Sequence, residues 1–315
     1  MLNQANLLVP WVLMGLSVVA FPYAVAQTVS QADKSSEYRR VVREASRNEQ
    51  QTTLNLASFV EKEFLRLEFP ASAKDDDSNL DSPEQYAILD ALHLRAFHSI
   101  SLKNAMEFER YAEVVDGKSG LRRTDIAAVY GALILARQFD RAKKWHTKLN
   151  PVARESLPLI VDQTSANVGR SVWVASQSAL VLTRVAVSEK KGPRVVVVTS
   201  PRCHFSVAAM NAIAKNPALL DRLQPITDWI VPAEQSLAFL PLQAWNSEHQ
   251  KIQLALVHRY SDWDVVDSWD TPQFYFLLNG KVVRRVTGWP KQEGNEAALV
   301  KAMDELDLMA AQLKR

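Results

Sequence analysis

The sequence predicts an α/β protein in two parts: an all-α N-terminal domain, then a domain built on a mixed sheet. Three observations predict it. As far as about residue 150, apolar residues recur at helical spacing among charged ones. From about residue 170 the pattern changes to short β-rich runs bounded by Gly, Pro and Ser. Near the end, Asn279-Gly280 joins two such runs in the strongest short hairpin signal, and an amphipathic stretch closes the chain.

Residues 1–26 contain no Lys, Arg, Asp or Glu. Leu7 to Phe21 is an apolar run of about 15 residues, short of the ~20 a membrane-spanning helix needs. Ala24-Val25-Ala26 ends it with the small-x-small pattern of a signal peptidase site. The segment is expected to be a signal peptide, with the mature chain starting near Gln27. Because no basic residue precedes the run, an uncleaved membrane anchor fits the same residues. Either way the remainder is exported, and a bacterial periplasmic location is expected.

Residues 35–69 are expected to form one helix, with Leu54, Phe59, Phe64 and Leu67 apolar among charges and Pro70 as the stop. ASAKDDDSNLD, 71–81, is a polar loop. Ser82 suits an N-cap, with Pro83 at the first helical position and Gln85 completing a capping box. Helical patterns follow at about 83–98, 101–115, 124–137 and 139–149, broken in the middle by Gly117 and Gly120. In the last pair, Phe139, Ala142, Trp145 and Pro151 fall roughly where a tetratricopeptide hairpin places its packing residues, and the pair resembles that repeat. Ala105 and Phe108 echo Ala142 and Trp145 at a spacing near its ~34 residues. An unrelated helical bundle accounts for the same pattern. The helical domain is set at 27–150.

Residues 151–169, with two prolines in the segment and Gly169 at its end, suit a linker. In 170–315, SVWVAS and ALVLTRVAV flank Ser176-Gln177-Ser178 as a possible hairpin. RVVVVTS reads as a central strand buried on both faces. A helix is expected over roughly 203–224, kinked at Asn216-Pro217, then a strand TDWIV at 227–231 and a helix over about 240–259. QFYFLL and KVVRRV form the hairpin, and 293–313 the closing helix.

The formal charge of +2 is spread along the chain with both signs interleaved, so nothing suggests a nucleic-acid surface. Cys203 is the only cysteine, so any disulfide must be intermolecular. It stands directly after the valine strand and before a helical pattern. His93 and His98 do not share a helical face, and His249 and His258 have no carboxylate at ligand spacing, so no metal site is expected. Neither a phosphate-binding glycine loop nor a nucleophile-elbow serine is present. Trp263, Trp269 and Trp289 are expected in core and rim packing.

Three features in order make residues 170–315 resemble thioredoxin. Cys203-His204-Phe205-Ser206 stands where that family has Cys-x-x-Cys, Thr271-Pro272 where it has its cis-proline, and Gly288 where a glycine follows the hairpin. The chain departs from the pattern at three positions. Ser206 replaces the second cysteine, Arg202 the preceding tryptophan, and Val197 the buried strand carboxylate. The resemblance implies a Cys-x-x-Ser monothiol variant. Cys203 would act as nucleophile, with Ser206 as a hydrogen-bond donor and Arg202 and His204 lowering its pKa. Thr271, Pro272 and Arg202 would meet an extended substrate segment. No cofactor is implied beyond glutathione or a partner thiol as reductant, since nothing in the chain can resolve a mixed disulfide. The expected partners are envelope proteins. The alternative is a non-catalytic adaptor in a secretion or transfer assembly.

Overall fold

The computed structural model describes residues 31–47, 53–67, 82–149, 157–165, 168–188, 191–290 and 294–313. The expected signal peptide, the loop at 71–81, Pro151 and most of the linker's start lie outside the described residues. No helix among the described residues is long and apolar enough to cross a membrane.

Helices α1 (Gln31–Arg47) and α2 (Thr53–Arg66) replace the single helix expected over 35–69. Arg66 pairs with Glu37 at 2.6 Å, and Arg40 with Glu63 at 2.7 Å. In one straight helix, at about 1.5 Å rise per residue, Glu37 and Arg66 would stand roughly 40 Å apart. Doubling back instead packs Tyr38 against Phe64 and buries Val41 and Val60. Residues 48–52 contain neither Gly nor Pro, so the sequence gives no break signal there.

Then come α3 (Ser82–His98), α4 (Leu102–Lys118), α5 (Arg123–Leu135) and α6 (Phe139–Lys148). Ser101 caps α4 by accepting from the Asn104 amide at 3.1 Å. Phe108, Ala142 and Trp145 are buried, and the Trp145 indole donates to the buried Glu109 carboxylate at 3.0 Å. Arg137, between α5 and α6, has φ of 59° and donates through its guanidinium to the carbonyls of Val257 and His258. Phe139 meets Trp173 edge-on at 5.1 Å. The helices therefore pack directly on the sheet, and one apolar core runs from Tyr38 to Leu306.

The sheet comprises β1 (Leu159–Asp162), β2 (Ser171–Ala175), β3 (Val181–Ala186), β4 (Pro193–Val198), β5 (Thr227–Val231), β6 (Leu254–Val257), β7 (Gln273–Leu278) and β8 (Lys281–Thr287). Its order is β1-β3-β2-β6-β5-β4-β7-β8. β5 lies parallel to β4 and to β6, whereas β7 runs antiparallel to β4, so the sheet is mixed as predicted. The valines of β4 divide by parity. Val195 and Val197 join the core under the helices, and Val196 and Val198 the opposite one with Trp263 and Tyr275. Helices α7 (His204–Lys215), α8 (Pro217–Leu223), α9 (Phe239–Glu248) and α10 (Glu296–Gln312) complete the fold.

Three further expectations are corrected. The linker at 151–169 holds β1, which pairs in parallel with β3. Its run LIVD is too short to stand out beside the prolines. The helix expected over 240–259 stops at Glu248, and Leu254–Val257 enters the sheet as β6. The Asn246 side chain fixes the turn, accepting from the Leu254 amide at 2.7 Å and donating to its carbonyl at 2.9 Å. An apolar run this short has the same appearance in a buried helix and in a buried strand. At Asn216-Pro217 the expected kink is a full break. The Asn216 side chain caps α8 by accepting from Leu219.

Candidate functional site

β4 carries the chain out of the core to Thr199 and Ser200, and a turn through Pro201 and Arg202 delivers Cys203 to the N-cap of α7. The turn is closed by a hydrogen bond from the Cys203 amide to the Ser200 carbonyl at 3.2 Å. The first amides of a helix have no partner within it, and its N-terminus favours an anion. Cys203 is half-buried. Its thiol donates to the carbonyl of Thr271 at 3.4 Å, and the Thr271-Pro272 peptide bond is cis.

Burial acts to raise the Cys203 pKa. Hydrogen bonds that the ionised sulfur can accept from the Thr271 side chain, from Ser206 through its amide and its hydroxyl, and from the Phe205 amide act to lower it, and the net shift is downward. Ser206 is fully buried, and its Oγ has no hydrogen-bond partner among the described residues. A buried hydroxyl without a partner costs free energy. A thiolate at Cys203 supplies the acceptor that the neutral thiol, itself donating to Thr271, does not.

Two expectations about this thiol change. Arg202 lines the same cleft, but Glu234 Oε2 holds its Nη1 at 2.9 Å and Ser236 Oγ accepts from it as well. His204 is exposed, with its ring against Phe205 at 3.8 Å. The largest effects that lower the thiol pKa are local hydrogen bonds rather than Arg202 or His204.

The cleft beside the thiol has a volume of about 460 Å³. Thr271 lies on one side of it, with Pro272 buried behind. Glu234 and Tyr260, which the sequence did not single out, form a further part of its wall with Trp269. Glu234 accepts from Ser200 Oγ at 3.2 Å, and Tyr260 stacks on Trp269 with centroids 4.1 Å apart and planes 17° from parallel. The Tyr260 hydroxyl donates to the Ala233 carbonyl, and burial pushes its pKa up to about 12. Asp270 is exposed at the rim. Of the tryptophans expected in packing, Trp263 and Trp289 are buried, while Trp269 belongs to the cleft. Only the clustering of aromatics before Pro272 hinted at this wall, and nothing local in the sequence marks Glu234. Among the described residues no group of three or more His, Cys, Asp or Glu stands where it could hold a metal ion.

Together these features define an α/β mixed-sheet protein with one thiol at the end of a central strand, facing a cis-proline loop. That is the arrangement the resemblance to thioredoxin implies. No family model and no curated protein matches the chain. Among solved structures, the solution structure of an uncharacterized thioredoxin-like protein from Porphyromonas gingivalis matches at 16% identity and a TM-score of 0.32. The match covers 46% of this chain and 94% of that one. A likeness at that score carries no argument, and the functional reading rests on the chain's own geometry.

Proposed function

We propose that the protein performs thiol–disulfide exchange through Cys203, as an exported, periplasmic protein acting on envelope proteins. The observation that carries the reading is the pairing of Cys203 with the buried, partnerless Ser206 hydroxyl at a helix start that favours the thiolate. In the proposed step the Cys203 thiolate attacks one sulfur of a substrate disulfide. The substrate S–S bond breaks, a Cys203–substrate disulfide forms, and the leaving thiolate takes a proton from water. Release requires a second thiol, either another cysteine of the substrate, which makes the reaction an isomerisation, or glutathione or a partner protein. That thiol attacks the mixed disulfide and returns Cys203 as thiolate. Thr271, beside the thiol, is the proposed contact for the substrate backbone, and Arg202 lines the approach. Residues 1–26 act in this reading as the export signal, and the helical half packs on the sheet domain, β1 included, that carries the thiol.

The test is the pH dependence of Cys203 alkylation in the purified chain, with mass analysis after exposure to oxidised glutathione. The expected result is a midpoint below the ordinary ~8.5 and one glutathione adduct per chain. A midpoint at or above ~8.5, or no labelling without denaturant, overturns the reading. A second reading would then lead, a protein-binding adaptor within an envelope assembly. It is supported by the α5–α6 pair, whose resemblance to a tetratricopeptide hairpin suits a protein-binding surface.

A further inference from the structure

We infer that Gly131 and His93 of the helical half are positioning residues for the Cys203 site, acting through Gln235 to hold the segment that carries Glu234. The inference rests on the thiol-exchange reading above. Residues 232–238 connect β5 to α9. Within them Glu234 lines the cleft and grips Arg202 and Ser200. The next residue, Gln235, belongs to the helical half's surroundings. Its Nε2 lies 3.3 Å from Nε2 of His93 on α3. A Cβ built on Gly131 of α5 would stand 3.0 Å from the Gln235 Cβ and 3.2 Å from its carbonyl oxygen. Glycine is a poor helix former, and in α5 its use is to let this backbone come close. The His93 ring is stacked on Phe108 at 5.7 Å and 20°. Burial lowers the His93 pKa, so near neutral pH the ring is uncharged and Nε2 can accept from the Gln235 amide.

The consequence for chemistry runs through Arg202, the residue before the nucleophile. Glu234 pairs with its guanidinium at 2.9 Å and so offsets its charge. Tyr260 and Asp270 are the other titratable groups lining the cleft. A displaced Glu234 segment would free Arg202, and a cation beside Cys203 favours the thiolate.

The test compares iodoacetamide rates of the full chain across pH for wild type, Gly131→Ala, Gln235→Ala, Glu234→Gln and the double variant Gly131→Ala with Glu234→Gln. Glu234→Gln is expected to raise the rate below the midpoint about fivefold, the effect of one freed charge near a solvated thiolate. Gly131→Ala is expected to move the profile the same way, and the double variant to gain nothing further. Should Gly131→Ala not fold, Gln235→Ala removes the His93 contact without a clash and carries the same expectation. Wild-type profiles in both Gly131→Ala and Gln235→Ala, or effects that simply add, would overturn the inference while leaving the thiol's lowered midpoint intact. An ordinary midpoint in the wild type would instead remove the thiol-exchange reading and this inference with it.

Discussion

Replacing Ser206 with alanine separates a catalytic hydroxyl from a structural one, because the two roles predict opposite signs. Ser206 is fully buried and its Oγ has no hydrogen-bond partner among the described residues while the thiol is neutral. Its hydroxyl is among the groups that hold the Cys203 pKa down. A hydrogen bond to a charged group contributes about 1.5–3 kcal/mol, so losing it should lower the thiolate fraction at neutral pH by tenfold or more. The same change removes a desolvated hydroxyl from the neutral protein, where that group costs about 1–3 kcal/mol. Ser206→Ala should therefore slow alkylation near pH 7 about tenfold, while leaving the melting temperature of the reduced protein unchanged or raising it by ~2 °C or more. Iodoacetamide kinetics and calorimetry at a pH below the thiol midpoint measure the two. A variant that melts lower and alkylates at the wild-type rate would refute the reasoning, because Ser206 would then only support the start of α7.

Cys203→Ser should abolish mixed-disulfide formation and leave the fold intact, since a serine hydroxyl can keep the hydrogen bond to the Thr271 carbonyl; mass analysis after oxidised glutathione, alongside circular dichroism, checks both. Asn246→Ala should cost about 2–3 kcal/mol in urea unfolding, because it strips two buried hydrogen bonds from Leu254 at the entry to β6. Stability should also fall with pH through His258. Burial first, then Arg184, Arg259 and Arg137, hold this ring down to about 4 from its ordinary 6.5, and its Nδ1 accepts from the Trp173 indole at 3.1 Å. The folded state resists a proton that the unfolded chain takes up. The contribution is therefore whole above pH ~6.5 and lost as pH falls towards ~4. The full shift would be ~3 kcal/mol, reduced to ~1 kcal/mol for a half-exposed ring. Urea midpoints at three pH values, repeated in His258→Gln, should show the fall in the wild type and a smaller one in the variant.

Legibility in the sequence followed the range of the forces involved. The valine strand β4, the Asn279-Gly280 hairpin and the α5–α6 pair were readable because period, turn chemistry and apolar runs are local. The split of α1 from α2 was not, since Arg40–Glu63 and Tyr38–Phe64 reward a reversal that no residue between them announces. β6 was missed because its four residues owe their strand state to Asn246 and to a place between β5 and β2. At the site, Cys203 and Thr271 could be named from motif order. Glu234 could not, for it reaches Arg202 from a different connection and carries no pattern of its own.

Val197 bears on how one thiol could suffice in the proposed exchange. The strand position at which the resemblance expects a carboxylate holds a valine that is fully buried in the core beneath the helices. A carboxylate there would face apolar neighbours and would be costly unless neutral or paired. Its expected use is to assist attack by a second thiol, and this chain has no second thiol. The apolar core beneath Cys203 and the serine at position 206 therefore agree. The surroundings of Cys203 lower its pKa through hydroxyls and amides, and in the proposed exchange the step that frees the product would fall to a thiol from outside the chain.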